Sequence, residues 1–146
     1  MRIIINVDEK YEDTKIMITC GKLTPELEKI ISLIRIFDMQ LTGKKDGELF
    51  ILDVSDVLYA DTVDKKTFLY TGNDVYESGL KLYELEEQLA QVDFVRVSKS
   101  ALINMRHIIS LKADFDRRIK ATMSNREQLM ISRQYADFVK TKLGVK

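Results

Sequence analysis

The sequence predicts a mainly β domain with short helices, of the α+β class, whose strands pair antiparallel. Three observations carry that expectation. From residue 38 onward, short apolar segments alternate with polar turn signals at a spacing of about 8–12 residues, the rhythm of an antiparallel sheet. Asp46-Gly47, between the apolar segments 38–43 and 48–53, is a strong two-residue hairpin signal. Helical patterns do not alternate regularly with these strands as they do in βαβ units.

At the N-terminus, residues 2–7 (RIIINV) and 15–20 (KIMITC) have strand composition, with the acidic linker DEKYEDT between them. Residues 24–37 form the clearest helix. Thr24 suits the N-cap, Pro25 the first helical position, and Glu26 and Glu28 the positive first turn. Leu27, Ile30, Ile31, Ile34 and Phe37 recur at helical spacing as one packing stripe. This strand–strand–helix leader, residues 1–44, is too small to be stable alone. It is expected as an appendage to a main domain at residues 45–146, packed on that domain or on a second copy of the chain.

Strands follow at 57–61, 67–71 and 75–78, joined through TVDKK and Gly72-Asn73. A helix at 81–90 places Leu82, Leu85 and Leu89 on one face. The stretch 94–104, FVRVSKSALIN, begins as a strand in which Arg96 interrupts the apolar run. Ser98, Lys99 and Ser100 break the pattern; Ala101, Leu102 and Ile103 resume it, and Asn104 closes a turn through its side chain. A loop pinned between two apolar anchors can present a basic side chain to a partner without losing order. Strands at 108–112, 119–123 and 128–132 and a helix at 134–143 complete the chain.

Composition bounds the function. The 146 residues are 45% hydrophobic, enough for one core, and no apolar run reaches the roughly 18 residues of a membrane span. MRIIINVDEKY turns acidic too soon for a signal peptide. One cysteine, Cys20, fits a reducing cytoplasm, and with a single histidine it cannot build a four-ligand zinc site. The chain has no GxSxG, Walker, GxGxxG or HExxH pattern. His107 has no neighbouring acid in sequence, DFDRR supplies its own counter-charges, and Cys20 lacks a flanking base. No catalytic residue, cofactor, metal or small-molecule substrate is expected.

The formal net charge of zero conceals an asymmetry. Residues 1–94 carry 11 Lys/Arg against 19 Asp/Glu, and residues 95–146 carry 12 against 4. A basic half can meet a polyanion, or the two halves can neutralise each other in the fold.

Five pieces in order, DVSDVLYADT, KKTFLYTGNDVYES, KLYELEEQL, FVRVSKSALINMRHIISL and MISRQYADFVKTKL, resemble the LytTR-type DNA-binding domain over about residues 45–144. With its short leader, the whole chain is similar to stand-alone regulators of that family. The resemblance implies several small antiparallel sheets without a recognition helix, and double-stranded DNA read in the major groove by loop side chains. Carried over by position, it assigns DNA contact to Lys99, to Arg133 and, in the third loop, to Lys66 or Thr67. Further implications are a bacterial, cytoplasmic, non-enzymatic transcription regulator, two chains on paired repeats, and control by a separate inhibitor, in some relatives a membrane protein. Lys65, Arg117, Arg118 and Arg126 are candidates for phosphate contact or solvated surface. The rival reading is a protein-interaction module docking an acidic partner through the basic half. The leader is expected to provide a self-association surface away from DNA.

Overall fold

The computed structural model describes residues 1–145. Among them ten strands form two antiparallel sheets. The larger holds seven strands in the order β2-β1-β5-β4-β3-β7-β6. These are β1 (Gln40–Lys45), β2 (Glu48–Asp53), β3 (Tyr59–Val63), β4 (Lys66–Tyr70), β5 (Val75–Ser78), β6 (Phe94–Ser98) and β7 (Ala101–Asn104). The smaller sheet runs β10-β9-β8, from β8 (Ile108–Ala113), β9 (Ile119–Met123) and β10 (Gln128–Ile131). Among the described residues three α-helices, α1 (Pro25–Asp38), α2 (Leu82–Gln88) and α3 (Arg133–Lys142), complete the mainly β architecture. No described helix is long and apolar enough to cross a membrane.

Alternation along the central strands divides the interior between the two faces of the large sheet. Ala60, Phe94 and Leu102 point to one face, where Leu82, Leu85 and Leu89 of the α2 segment cover them. Tyr59, Val95 and Ile103 point to the other, against Ile119, Ala121 and Met123 of β9 and Ala136 and Val139 of α3. Each central strand is therefore buried on both sides, which fixes its register, because a one-residue slip would exchange the two faces.

Local chemistry sets several boundaries. Asp46 and Gly47 both take positive φ (52° and 79°), the geometry of a tight hairpin turn, between strands paired from Gln40↔Asp53 to Lys45↔Glu48. The Thr24 hydroxyl accepts from the Leu27 N–H at 3.2 Å and caps α1. Leu27, Ile30, Ile31 and Ile34 of the expected stripe are half-buried; the Phe37 side chain lies outside the described residues. Asn104 is 3% exposed; its Nδ2 donates to the Val57 carbonyl at 2.9 Å and its Oδ1 accepts from the Arg106 N–H at 3.1 Å. It ties β7 to the turn before β3.

Two expectations for the leader require correction. Residues 2–7 and 15–20 form no strand: Ile3, Ile4, Ile5 and Val7 are 72–92% exposed, and a local turn closes instead through the Tyr11 N–H on the Asp8 carbonyl at 3.2 Å. Strand composition supplies propensity, but a ladder needs a neighbouring edge, and two short strands with a long linker are marginal alone. The boundary expected between residues 44 and 45 falls inside β1, whose ladder to β2 makes it part of the large sheet.

Candidate nucleic-acid interface

Four loops converge at one end of the molecule. The first is the 99–100 turn between β6 and β7. Pairing of Asp61 with Ala101 brings the β3–β4 turn beside it, and the Thr62 N–H donates to the Ser100 carbonyl at 2.9 Å. From the other side, the Ser132 N–H donates to the Val97 carbonyl at 2.9 Å, docking the end of β10 and the start of α3 on β6. Ile131 pairs with Ile119, so the β8–β9 turn, residues 114–118, lies next to Ser132.

Lys99 and Arg133 are thereby brought together. Three chain steps and one cross-strand spacing separate their Cα atoms by at most roughly 17 Å. Both side chains are exposed, and neither makes an ion pair among the described residues. Arg133 opens α3 without pairing to Asp137 one turn later. Lys66 shares this end and is exposed; its ammonium lies 3.7 Å from the Glu77 carboxylate, a solvated contact too weak to tether it. Thr67 is the exception. It is 5% exposed and faces the core with Leu69, because alternate residues of β4 point to opposite faces. Its hydroxyl is not presented to a partner, and Lys66 occupies the outward position.

The same end carries Lys65, Arg117 and Arg118, giving six basic side chains against Asp64, Asp114 and Asp116. Asp64 and Lys65 take positive φ (50° and 67°), as do Asp116 and Arg117 (57° and 63°), the geometry of tight turns between antiparallel strands. Arg126 sits elsewhere, in the turn at the opposite end of β9, about 17 Å away along five residues of strand. There the Ser124 N–H donates to the His107 carbonyl at 2.8 Å, and His107 Nε2 meets the Ser55 carbonyl at 2.6 Å. This histidine links the two sheets.

Arg96 is the residue that sequence reasoning missed. Its Nη1 donates to the Lys99 carbonyl at 2.8 Å, while Nε and Nη2 grip the two Glu86 oxygens at 3.2 Å each. A register shift between Arg96 and Ser98 bends β6 just before the turn, and the Ser98 hydroxyl accepts from the Ser100 N–H at 3.2 Å. The Lys99 backbone is held by α2 through one guanidinium. The available signal was an arginine in an otherwise apolar strand.

The β3–β4 hairpin is stiffened at its base. Tyr59 and Tyr70 stack with centroids 4.5 Å apart, and the Tyr70 hydroxyl donates to both Asp61 oxygens at 3.0 and 3.2 Å. Burial holds the Asp61 carboxyl above its ordinary range, an effect the Tyr70 bond opposes. Burial, reinforced by Asp61, pushes the Tyr70 phenol up to about 12.

Comparison with known proteins agrees with this architecture. The LytTr DNA-binding domain model matches residues 47–144. A relative from Staphylococcus aureus strain MSSA476, described as an uncharacterized HTH-type transcriptional regulator, is 29% identical over 99% of both chains. A second with the same description, from strain NCTC 8325 / PS 47, is 30% identical over 99% of this chain and 98% of its own. Despite that description, no two α-helices are consecutive among the described residues, so a helix-turn-helix is not formed here. Among solved structures, the LytTr DNA-binding domain of a protein described as a methyl-accepting/DNA response regulator from Bacillus cereus superposes with a TM-score of 0.68. It is 27% identical and covers 72% of this chain and 96% of its own. The fold, the order of its elements and the matched segment lead to one conclusion: the chain belongs to the LytTr DNA-binding domain family.

Proposed function

We propose that this protein is a bacterial, cytoplasmic, non-enzymatic transcription regulator that binds specific duplex sites as two chains on paired repeats. Lys99 and Arg133 enter the major groove. Arginine can donate two parallel bonds to O6 and N7 of guanine, and lysine can donate to the same acceptors or to phosphate. Lys66, Lys65, Arg117 and Arg118 flank them as phosphate contacts that set orientation. The observation that supports this reading is the meeting of the β6–β7 loop and the start of α3 through Ser132 and Val97, which gathers both exposed cations at one end. The separation of their Cα atoms is comparable with a major groove about 12 Å wide once two long side chains are extended.

Selection of bound fragments from the host genome, followed by salt titration of the best fragment, tests the proposal. A groove reader prefers that fragment over random duplex by about a thousandfold or more and loses affinity steeply with salt. Equal affinity for both duplexes would remove sequence-specific recognition. A protein-docking module would show no such preference.

A further inference from the structure

We propose that residues 15–20 of one chain pair antiparallel with the free edge of β2 in a second copy, so that two chains exchange leaders. The observation is a pair of unmatched β elements within one sequence. β2 ends the seven-stranded sheet, and only Leu52 of its six residues is buried. Leu49 and Ile51, two residues apart on the same face, are 63% and 68% exposed. Natural sheets guard such edges with charged residues, proline or a bulge; in β2 the charges, Glu48 and Asp53, stand only at the two ends, and the LFIL stretch between them carries none of these. The leader is the complementary half. In KIMITC, Ile16, Met17 and Ile18 are 62%, 74% and 41% exposed, and no strand forms there.

Charge selects the segment and its register. With Lys15 opposite Asp53, Ile16 meets Leu52, Met17 meets Ile51 and Ile18 meets Phe50, and beyond the strand Lys22 comes to the β1–β2 turn that carries Asp46. Lys15 opposes Asp53 and the apolar runs coincide, the pairing that stabilises cross-strand neighbours, while Lys22 arrives beside a turn of opposite charge. The other leader segment matches the strand but not the turn: with Arg2 opposite Asp53, Asp8 and Glu9 come to the turn that carries Asp46, bringing like charges together. Reciprocal exchange gives a closed two-fold dimer. β2 lies six strand spacings, about 29 Å, from β6, so the dimer leaves the basic end free. The inference stands without the DNA reading, because it is measured with no DNA present.

Cysteine trapping tests it in a Cys20→Ser background. One chain carries Met17→Cys, the other Ile51→Cys, and each is checked for an unchanged thermal midpoint. The expected result is a disulfide-linked species of twice the chain mass only in the mixture of the two, with the parent chain sedimenting as a dimer. Cross-linking of Ile51→Cys with itself would mean edge-to-edge pairing of β2 and would overturn the proposal. So would a monomeric parent with no cross-link in the mixture, the result expected if the leader pairs within its own chain.

Discussion

Replacing Arg96 with alanine separates positioning from contact. The Nη1 bond to the Lys99 carbonyl is a charge-assisted but solvent-exposed hydrogen bond, for which the net contribution is about 1–1.5 kcal/mol. The paired bonds to Glu86 contribute less, about 1 kcal/mol at most, because the Glu86 side chain is 43% exposed. The variant should lose about 2 kcal/mol of stability, lowering Tm by about 4–8 °C in a domain of this size. Freeing the backbone of one loop residue costs about 1–2 kcal/mol when it must be ordered again on DNA. The Kd for the selected site should therefore rise by about 5–30-fold. Fluorescence anisotropy at several salt concentrations provides the assay. Because Arg96 spends its fork on protein, the slope of log K against log salt should not change. A slope reduced by about 0.9 would make Arg96 a phosphate ligand. A wild-type Kd in a variant with the expected drop in Tm would show that loop order does not matter for binding, and the reasoning would fail.

Three further perturbations test the scaffold. Asn104→Ala deprives a buried carbonyl of its donor and a part-buried N–H of its acceptor and should cost about 1–3 kcal/mol, read as a lower urea midpoint with unchanged m. Gly43→Ala would place its Cβ 2.6 Å from Tyr76 Cβ on the neighbouring strand and should destabilise by about 1–3 kcal/mol in the same assay. The raised Tyr70 pKa predicts alkaline sensitivity. The folded state holds this proton more tightly than the unfolded chain, so its stability contribution is complete below pH 10.0 and is lost as pH rises towards about 12. Thermal melts across that window should show a smaller loss for Tyr70→Phe than for the parent.

The parts legible in the sequence were those fixed by local chemistry. Asp46-Gly47 announced its hairpin because few residue pairs accept two positive φ values, and Thr24-Pro25 announced α1 because the cap is made within one turn. The leucine face of α2 followed from a burial period that neighbours in sequence already display. What failed depended on partners distant in the chain. Residues 15–20 have the composition of a strand, but nothing in that composition says whether an edge is available within the same chain. Thr67 and Lys66 are adjacent, and only the register of β4 against β3 decides which of them faces outward. Arg96 looked like an interruption because its partners, Glu86 and the Lys99 carbonyl, are joined to it only by the fold.

The central claim is that Lys99 and Arg133 read base edges rather than merely adding positive charge. It is tested most directly by the ratio of affinities for the selected site and for random duplex, measured at one salt concentration for the Lys99→Ala/Arg133→Ala double variant. Two lost base contacts of about 1–3 kcal/mol each should lower that ratio by at least about 30-fold, with Tm unchanged. A ratio equal to that of the parent protein, with both affinities reduced alike, would contradict it.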